Sequence, residues 1–81
     1  MRISFLLWAQ MRVAAGRSRI EIELPDGSRL NAALDRFYES YPDLVSHRPT
    51  ARAAVDGEYV RDNRLLHDGT EISLIPPVQG G

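Results

Sequence analysis

The chain has 81 residues and a formal net charge of -1, and all ten of its basic residues are arginines. A domain of this size buries about 60–65 % of its unfolded surface, so it has one modest core and little room for an enclosed active site. There is no basic stripe typical of nucleic-acid binding, no apolar run long enough to span a membrane, and no cysteine for disulfides or metal ligation. We therefore expect a cytoplasmic protein that binds neither nucleic acid nor membranes and presents a surface or a chain end to a larger partner.

The first predicted elements are a strand and a short helix. Ile3, Phe5 and Leu7 alternate with other residues, which is the period of a strand with one buried face. Residues 11–15 contain alanines and precede Gly16, a pattern typical of one or two helical turns closed by a glycine cap. The alternation favours a strand over a secretion signal, because a signal has a continuous apolar region and a cleavage motif.

The central part of the chain predicts a second strand and the main helix. Residues 19–24 alternate, and a turn is expected at residues 25–27. Ser28 lies where its hydroxyl would cap a helix N-terminus, and Pro42 is expected to end the helix because it disfavours helical geometry in the preceding residue. The apolar stripe of this amphipathic helix consists of Leu30, Leu34, Phe37 and Tyr41.

The last part of the chain predicts a loop at residues 43–49, a strand at residues 52–55 and a hairpin turn before residues 58–60. The final strand, residues 71–75, is expected to stop at the two prolines because proline cannot donate to a sheet. This order predicts an α+β fold with one main helix packed on one face of a mixed sheet, and with the first and last strands side by side in its middle. We assign residues 1–75 to the folded domain and residues 76–81 to a flexible tail.

The C-terminal segment reads Ile-Pro-Pro-Val-Gln-Gly-Gly from residue 75 to residue 81 and resembles the end of the MoaD/ThiS sulfur-carrier family. Residues 7–12 with Gly16, residues 54–60 and residues 66–72 are similar to further blocks of that family, so the resemblance covers nearly the whole chain. It implies a ubiquitin-like β-grasp fold. Within the family, the chain looks most like the small subunits of molybdopterin synthase.

The resemblance implies that the working group is the main-chain carboxylate of Gly81. In this family an ATP-using, ubiquitin-activating-type adenylyltransferase makes an acyl-adenylate there, and a sulfur donor protein converts it to a thiocarboxylate. The thiocarboxylate then donates sulfur to a cyclic pterin precursor in the large catalytic subunit of molybdopterin synthase, during molybdenum-cofactor biosynthesis. The implied chain is not an enzyme alone, binds no cofactor itself, and depends on ATP used by its partner.

The residue types of the tail suit this role. Pro76 and Pro77 favour an extended polyproline II exit from the sheet, which continues through Val78 and Gln79. Gly80 and the terminal glycine lack Cβ atoms, so a chain end made of them fits a narrow channel in a partner. The alternative interpretation is a disordered chain end, in which prolines and glycines are common.

An exposed apolar cluster is expected beside the tail. Strand alternation leaves Trp8 and Ile75 on the outer face of the sheet, with Tyr59 as a further member, and such a patch is typical of a docking surface. Alternatively, Trp8 is a rim residue covered by the chain's own loops. Arg12 matches an arginine of the family and is expected either to pair with a partner's carboxylate or to be simply solvated. The two histidines have no neighbouring ligand set, so no metal site is expected.

Other functions remain open at the level of sequence. A sulfur carrier of the same family can serve thiamine or cysteine synthesis instead. A ubiquitin-like protein modifier would be attached to target lysines through Gly81. A plain binding module would use the apolar patch and not the tail.

Overall fold

The computed structural model describes residues 1–77. This part of the chain contains five strands, two α-helices and one 3-10 helix. The alternation of apolar and polar residues favours the strands, and turn residues separate them. The strands are β1 (Arg2–Leu7), β2 (Arg19–Glu23), β3 (Arg52–Val55), β4 (Glu58–Tyr59) and β5 (Glu71–Ile75), the α-helices are α1 (Ala9–Ala15) and α2 (Leu30–Ser40), and the 3-10 helix is Pro42–His47.

The strands form one mixed sheet in the order β2-β1-β5-β3-β4. β1 and β5 are adjacent and parallel, with Leu7 opposite Leu74, whereas the other neighbouring pairs are antiparallel. The β3–β4 hairpin turns at Asp56 and Gly57, whose φ angles of 48° and 86° are those of a tight two-residue hairpin. The predicted α+β class and the adjacency of the first and last strands are confirmed.

The core lies between α2 and one face of the sheet. Ile3, Phe5 and Ile72 point to that face from the central strands and are completely buried. Phe37 of α2 packs on them, with its ring centroid 4.7 Å from that of Phe5. Since burial of apolar surface is the main stabilising term, these contacts hold the sheet and the helix together. The strand alternation predicted from the sequence is confirmed.

The buried stripe of α2 is rotated relative to the prediction. Leu30 and Phe37 are buried as expected, but Leu34 is only half-buried, while Ala33 and Tyr38 are buried. Tyr41, the last member of the predicted stripe, is also half-buried. A small alanine adds little to a hydrophobic pattern, yet Ala33 is completely buried, so the buried face of the helix passes through it.

The prediction that Ser28 caps α2 is wrong. The Ser28 hydroxyl donates to the carbonyl of Pro25 at 2.7 Å and so stabilises the preceding turn, and Arg29 is the N-cap residue. The free N–H of Asn31 donates instead to the side-chain oxygen of Asn63 at 2.8 Å. A distant loop therefore supplies the helix cap, and local sequence gives no sign of that contact.

The prediction of a loop at residues 43–49 is also wrong for most of its length. Pro42–His47 forms a 3-10 helix in which Leu44 is 1 % exposed. Pro42 occupies the first turn, where a missing N–H costs nothing, and Leu44 anchors the segment in the core. Within residues 1–77 no helix has both the length and the apolar character that crossing a membrane requires.

Candidate functional site

The chain leaves the body of the protein from the middle of the sheet. β5 has β1 on one side and β3 on the other, and it ends at Ile75. Pro76 is buried and Pro77 is exposed, so the chain emerges at Pro77. Because β1 and β3 pair with β5 on its two sides, the end of β5 at Ile75 is held in place by neighbouring strands. The predicted site residues Val78, Gln79, Gly80 and Gly81 lie outside the described residues.

Trp8 lies beside this exit. The β1–β5 register pairs Leu7 with Leu74, so Trp8, whose backbone is still extended with φ -127°, is level with Ile75. The Trp8 carbonyl accepts the Met11 N–H at 3.1 Å, and the chain then turns sharply into α1. The Trp8 side chain is 51 % exposed, so about half of it is open to solvent in the part of the chain that the structure describes.

Two further side chains extend this surface across the sheet. Arg52 is opposite Ile75 in the β3–β5 register, and its guanidinium lies 5.6 Å from the ring centroid of Tyr59. Tyr59 is 59 % exposed and pairs with Ala54, so it shares the face of Arg52 and Ile75. We call Trp8, Ile75, Arg52 and Tyr59 the tail-side patch.

Arg52 was missed by the sequence interpretation. The signal for it was the alternation of the short strand at residues 52–55, which puts Arg52 and Ala54 on the same face. Its position opposite Ile75 depends on the register between β3 and β5, which the sequence does not specify.

Arg12 lies on α1, next to the tail-side patch. The backbone N–H of Arg12 donates to the Trp8 carbonyl at 3.4 Å, so Arg12 lies one helical turn after Trp8. The side chain is exposed and forms no ion pair with any residue between 1 and 77. The guanidinium is therefore accessible to an external carboxylate.

The other half of the open sheet face is charged and internally paired. Arg19 lies 2.9 Å from a carboxylate oxygen of Glu71 and donates to the Ser4 hydroxyl at 3.0 Å. Arg2 lies 3.3 Å from a carboxylate oxygen of Glu23. Exposed pairs of this kind contribute little free energy, but they leave the charged half with most of its polar groups satisfied. The apolar side chains of the tail-side patch have no comparable cover.

Titratable groups with a shifted pKa lie elsewhere in the described part of the chain. Burial raises the pKa of Tyr38 on α2, and nearby Arg48 opposes this shift. A hydrogen bond to Asp62 raises the pKa of Arg64 in the loop after β4. Residues 1–77 contain no group of three or more His, Asp or Glu side chains arranged to hold a metal ion. The candidate site therefore consists of the point where the chain leaves β5 and the tail-side patch next to it.

This architecture defines a class. A mixed sheet with parallel β1 and β5 in its middle and one main helix across one face is the ubiquitin-like β-grasp fold. The chain is similar to the crystal structure of SAMP1 from Haloferax volcanii, with a TM-score of 0.90 and 23 % identity over 100 % of both chains. It is also similar to a structure from Helicobacter pylori described as a complex of subunits 1 and 2 of molybdopterin-converting factor, with a TM-score of 0.74 and 22 % identity over 100 % of both chains. At these identities the likeness establishes the fold.

The family follows from the sequence comparisons. The model of the ThiS family matches residues 5–81, and the chain belongs to this family. A curated relative from Chlamydomonas reinhardtii is 37 % identical over 83 residues, with all of both chains covered, and is named molybdopterin synthase sulfur carrier subunit. The predicted family membership and the predicted ubiquitin-like fold are thus confirmed.

Proposed function

We propose that this chain is the sulfur carrier subunit of a molybdopterin synthase and that it works through the carboxylate of Gly81. The observation that carries the proposal is the chain exit from central strand β5, next to the exposed tail-side patch. It is supported by the ThiS family match, which extends to Gly81, and by the name of the Chlamydomonas reinhardtii relative.

The chemistry requires activation by another protein. A carboxylate is a poor electrophile, so one oxygen of Gly81 first attacks the α-phosphorus of ATP and releases pyrophosphate. A persulfide on a donor protein then attacks the acyl carbon, and AMP leaves to give an acyl disulfide with the donor. A second thiol attacks the donor's sulfur in this disulfide, so the S–S bond breaks to release the thiocarboxylate and a new disulfide forms between the two thiols. Because the chain has no cysteine and no lysine, it has no side-chain thiol or ε-amine of its own to compete for the activated carbonyl.

The tail then delivers the sulfur. Residues 76–81 span at most roughly 20 Å when extended, which is enough to reach into an active site of a neighbouring protein. Two prolines limit the conformations available to the tail, and the two glycines leave its end narrow. Catalytic groups would belong to the large subunit, so this chain acts as a sulfur-donating subunit and not as an enzyme alone.

The tail-side patch is the proposed docking surface for that large subunit. Trp8 and Tyr59 offer large exposed aromatic surfaces, and aromatic side chains at the centre of an interface often dominate its affinity. Arg12 and Arg52 add cationic groups at the edge of the patch. The Helicobacter pylori structure, whose two subunits are described as a complex, supports an assembly of this kind.

The decisive test is the intact mass of the chain after incubation with ATP, an activating enzyme and a sulfur source. The expected result is an oxygen-for-sulfur exchange that is located at Gly81 by fragmentation. Deletion of Gly81 is expected to abolish both the exchange and product formation, with little change in the unfolding midpoint. The control is Val13→Ala, a change at an exposed residue of α1, which is expected to retain full exchange. Product formation by the truncated chain would refute the proposal.

Two further measurements, of conjugates on other proteins and of molybdopterin formation, separate the alternatives. A modifier would give covalent conjugates on other proteins that survive reduction, and the fold likeness to a structure described as small archaeal modifier protein 1 from Haloferax volcanii makes this the second candidate. A carrier for thiamine or cysteine synthesis would undergo the same mass change at Gly81. It would, however, fail to support molybdopterin formation with the large subunit.

A further inference from the structure

A groove of about 600 Å³ lies between the N-terminal half of α2 and the β3–β4 hairpin. Its lining includes four half-buried apolar side chains: Leu34, Ala51, Ala53 and Val60. These side chains pack against the core on one side but remain open to solvent on the other. Incompletely covered apolar surface in a concave site of this volume is typical of a place where a ligand binds.

The groove opens because the hairpin pairing stops early. β4 is only two residues long, and the last bond of the ladder runs from the Val60 N–H to the Ala53 carbonyl at 3.1 Å. In an antiparallel strand the N–H of a residue points to the same side as its carbonyl, so the Ala53 N–H also faces the β4 side. The Ala53 N–H donates a hydrogen bond to no residue between 1 and 77. The edge therefore offers one main-chain donor beside the apolar floor.

The rim of the groove is cationic. Arg52 and Arg61 line it, and neither forms an ion pair within the described part of the chain. Asp62 also lines the groove, but its carboxylate is held by Arg64 at 3.2 Å. Arg52 shares the open face of the sheet with Ile75, and its guanidinium lies over the Tyr59 ring, so the cation available to a carboxylate in the groove is Arg61. Arginine suits such pairing because it donates two parallel hydrogen bonds.

We propose that this groove binds an extended segment of another protein in which an apolar side chain lies next to a carboxylate. A main-chain carbonyl of the segment accepts the free Ala53 N–H, as in the addition of a strand to a sheet edge. The apolar side chain lies on Leu34 and Val60. The carboxylate pairs with Arg61. The free donor, the apolar floor and the Arg61 cation match three separate features of one ligand.

This binding site is distinct from the one proposed for sulfur transfer. It uses no residue after Asp62 and does not involve the carboxylate of Gly81. It adjoins the tail-side patch through Arg52 and Tyr59, which belong to both surfaces. A segment bound in the groove would therefore leave the C-terminal residues free for chemistry, and failure of either proposal leaves the other intact.

The test starts with selection of a displayed library of random eight-residue peptides against the full chain. We expect the enriched peptides to contain an apolar residue next to Asp or Glu. Addition of an enriched peptide is expected to shift the backbone amide resonances of Ala53, Val60 and Leu34. Arg61→Glu is expected to weaken peptide binding roughly fivefold to tenfold, because it replaces an attraction by a repulsion. The matched control, Arg36→Glu on the exposed side of α2, makes the same charge change outside the groove and is expected to have less than about a twofold effect.

Several outcomes would overturn the proposal. The first is a library that yields no enriched peptide, and the second is enrichment of peptides without acidic residues. Equal binding to the Arg61→Glu variant and the native chain would also refute it. A concentration-dependent dimer in sedimentation that Arg61→Glu abolishes and Arg36→Glu preserves would assign the groove to a second copy of this chain, and the peptide proposal would then be wrong.

Discussion

The two faces of the sheet are made by alternate residues of the same strands, yet they differ in what they contribute. On the covered face, Phe5 and Ile72 are completely buried against α2. On the open face, Tyr59 is 59 % exposed and Ile75 is half-buried. Stability is therefore concentrated on the covered face, and the open face remains available for recognition. Mutations on the two faces should therefore separate loss of folding from loss of binding.

The open face is itself divided. Its charged half is held by pairs such as Arg19 with Glu71, whereas the tail-side patch exposes Trp8 and Tyr59 next to the chain exit. A cross-sheet ion pair fastens neighbouring strands whether or not a partner is present. An exposed aromatic side chain gains most of its free energy only when a partner covers it. The division therefore places the expected binding energy beside the C-terminal segment.

Removal of the Phe37 ring tests how much the covered face contributes to stability. Phe37→Ala removes a completely buried ring that contacts Phe5 at 4.7 Å and Tyr41 at 5.3 Å between centroids. We expect the free energy of unfolding to fall by about 3–5 kcal/mol, measured by urea denaturation. The control from the open face is Tyr59→Ala, which is expected to cost less than about 1 kcal/mol. Equal losses for the two variants would show that the faces do not divide stability and recognition.

The next effect tests the open face. Trp8→Ala is expected to weaken binding to the large subunit of molybdopterin synthase by about 2 kcal/mol or more, as measured by calorimetry, because a docked aromatic side chain is lost. The free energy of unfolding should change by less than about 1 kcal/mol, since the side chain is 51 % exposed. Val13→Ala, on the exposed side of α1, serves as the control for binding. An unchanged affinity of the Trp8 variant would remove the tail-side patch from the proposed interface.

A smaller effect tests how the covering helix is held in place. Asn63→Ala removes the side-chain oxygen that accepts the Asn31 N–H at 2.8 Å, and this N–H then faces solvent or remains unpaired. We expect a loss of about 0.5–2 kcal/mol in thermal or urea unfolding, which is the range for helix caps. Ser28→Ala removes only the hydroxyl bonded to Pro25 and is expected to cost less. A larger loss at Ser28 would restore it as the cap predicted from the sequence.

Features that depend on neighbouring residues were predictable from the sequence, whereas contacts between distant segments were not. Alternation is a local property, so it located the strands and predicted that Phe5 is buried and Ile75 lies on the outer face. The Asn63 cap and the pairing of Arg52 with Ile75 join segments that are far apart in the chain, and neither follows from the local pattern. The role assigned to Gly81 rests on the resemblance to a family. No physical pattern in the chain would specify sulfur as its cargo.

The smallest effect is a pH dependence that arises on the covered side of the molecule. Burial raises the pKa of Tyr38, and the Arg48 guanidinium, 5.4 Å from its ring centroid, lowers it by less. The ordinary pKa of tyrosine in an unfolded chain is about 10. Above that pH the unfolded chain loses the Tyr38 proton while the folded chain still keeps it. The free energy of unfolding should therefore fall as the pH rises from about 10 through the raised pKa of the folded state. At lower pH both states keep the proton, so this group should have no effect there. Urea midpoints measured between about pH 8 and about pH 11 should show this slope in the native chain and a shallower one in Tyr38→Phe. A slope that survives Tyr38→Phe unchanged would show that a different group causes the alkaline loss.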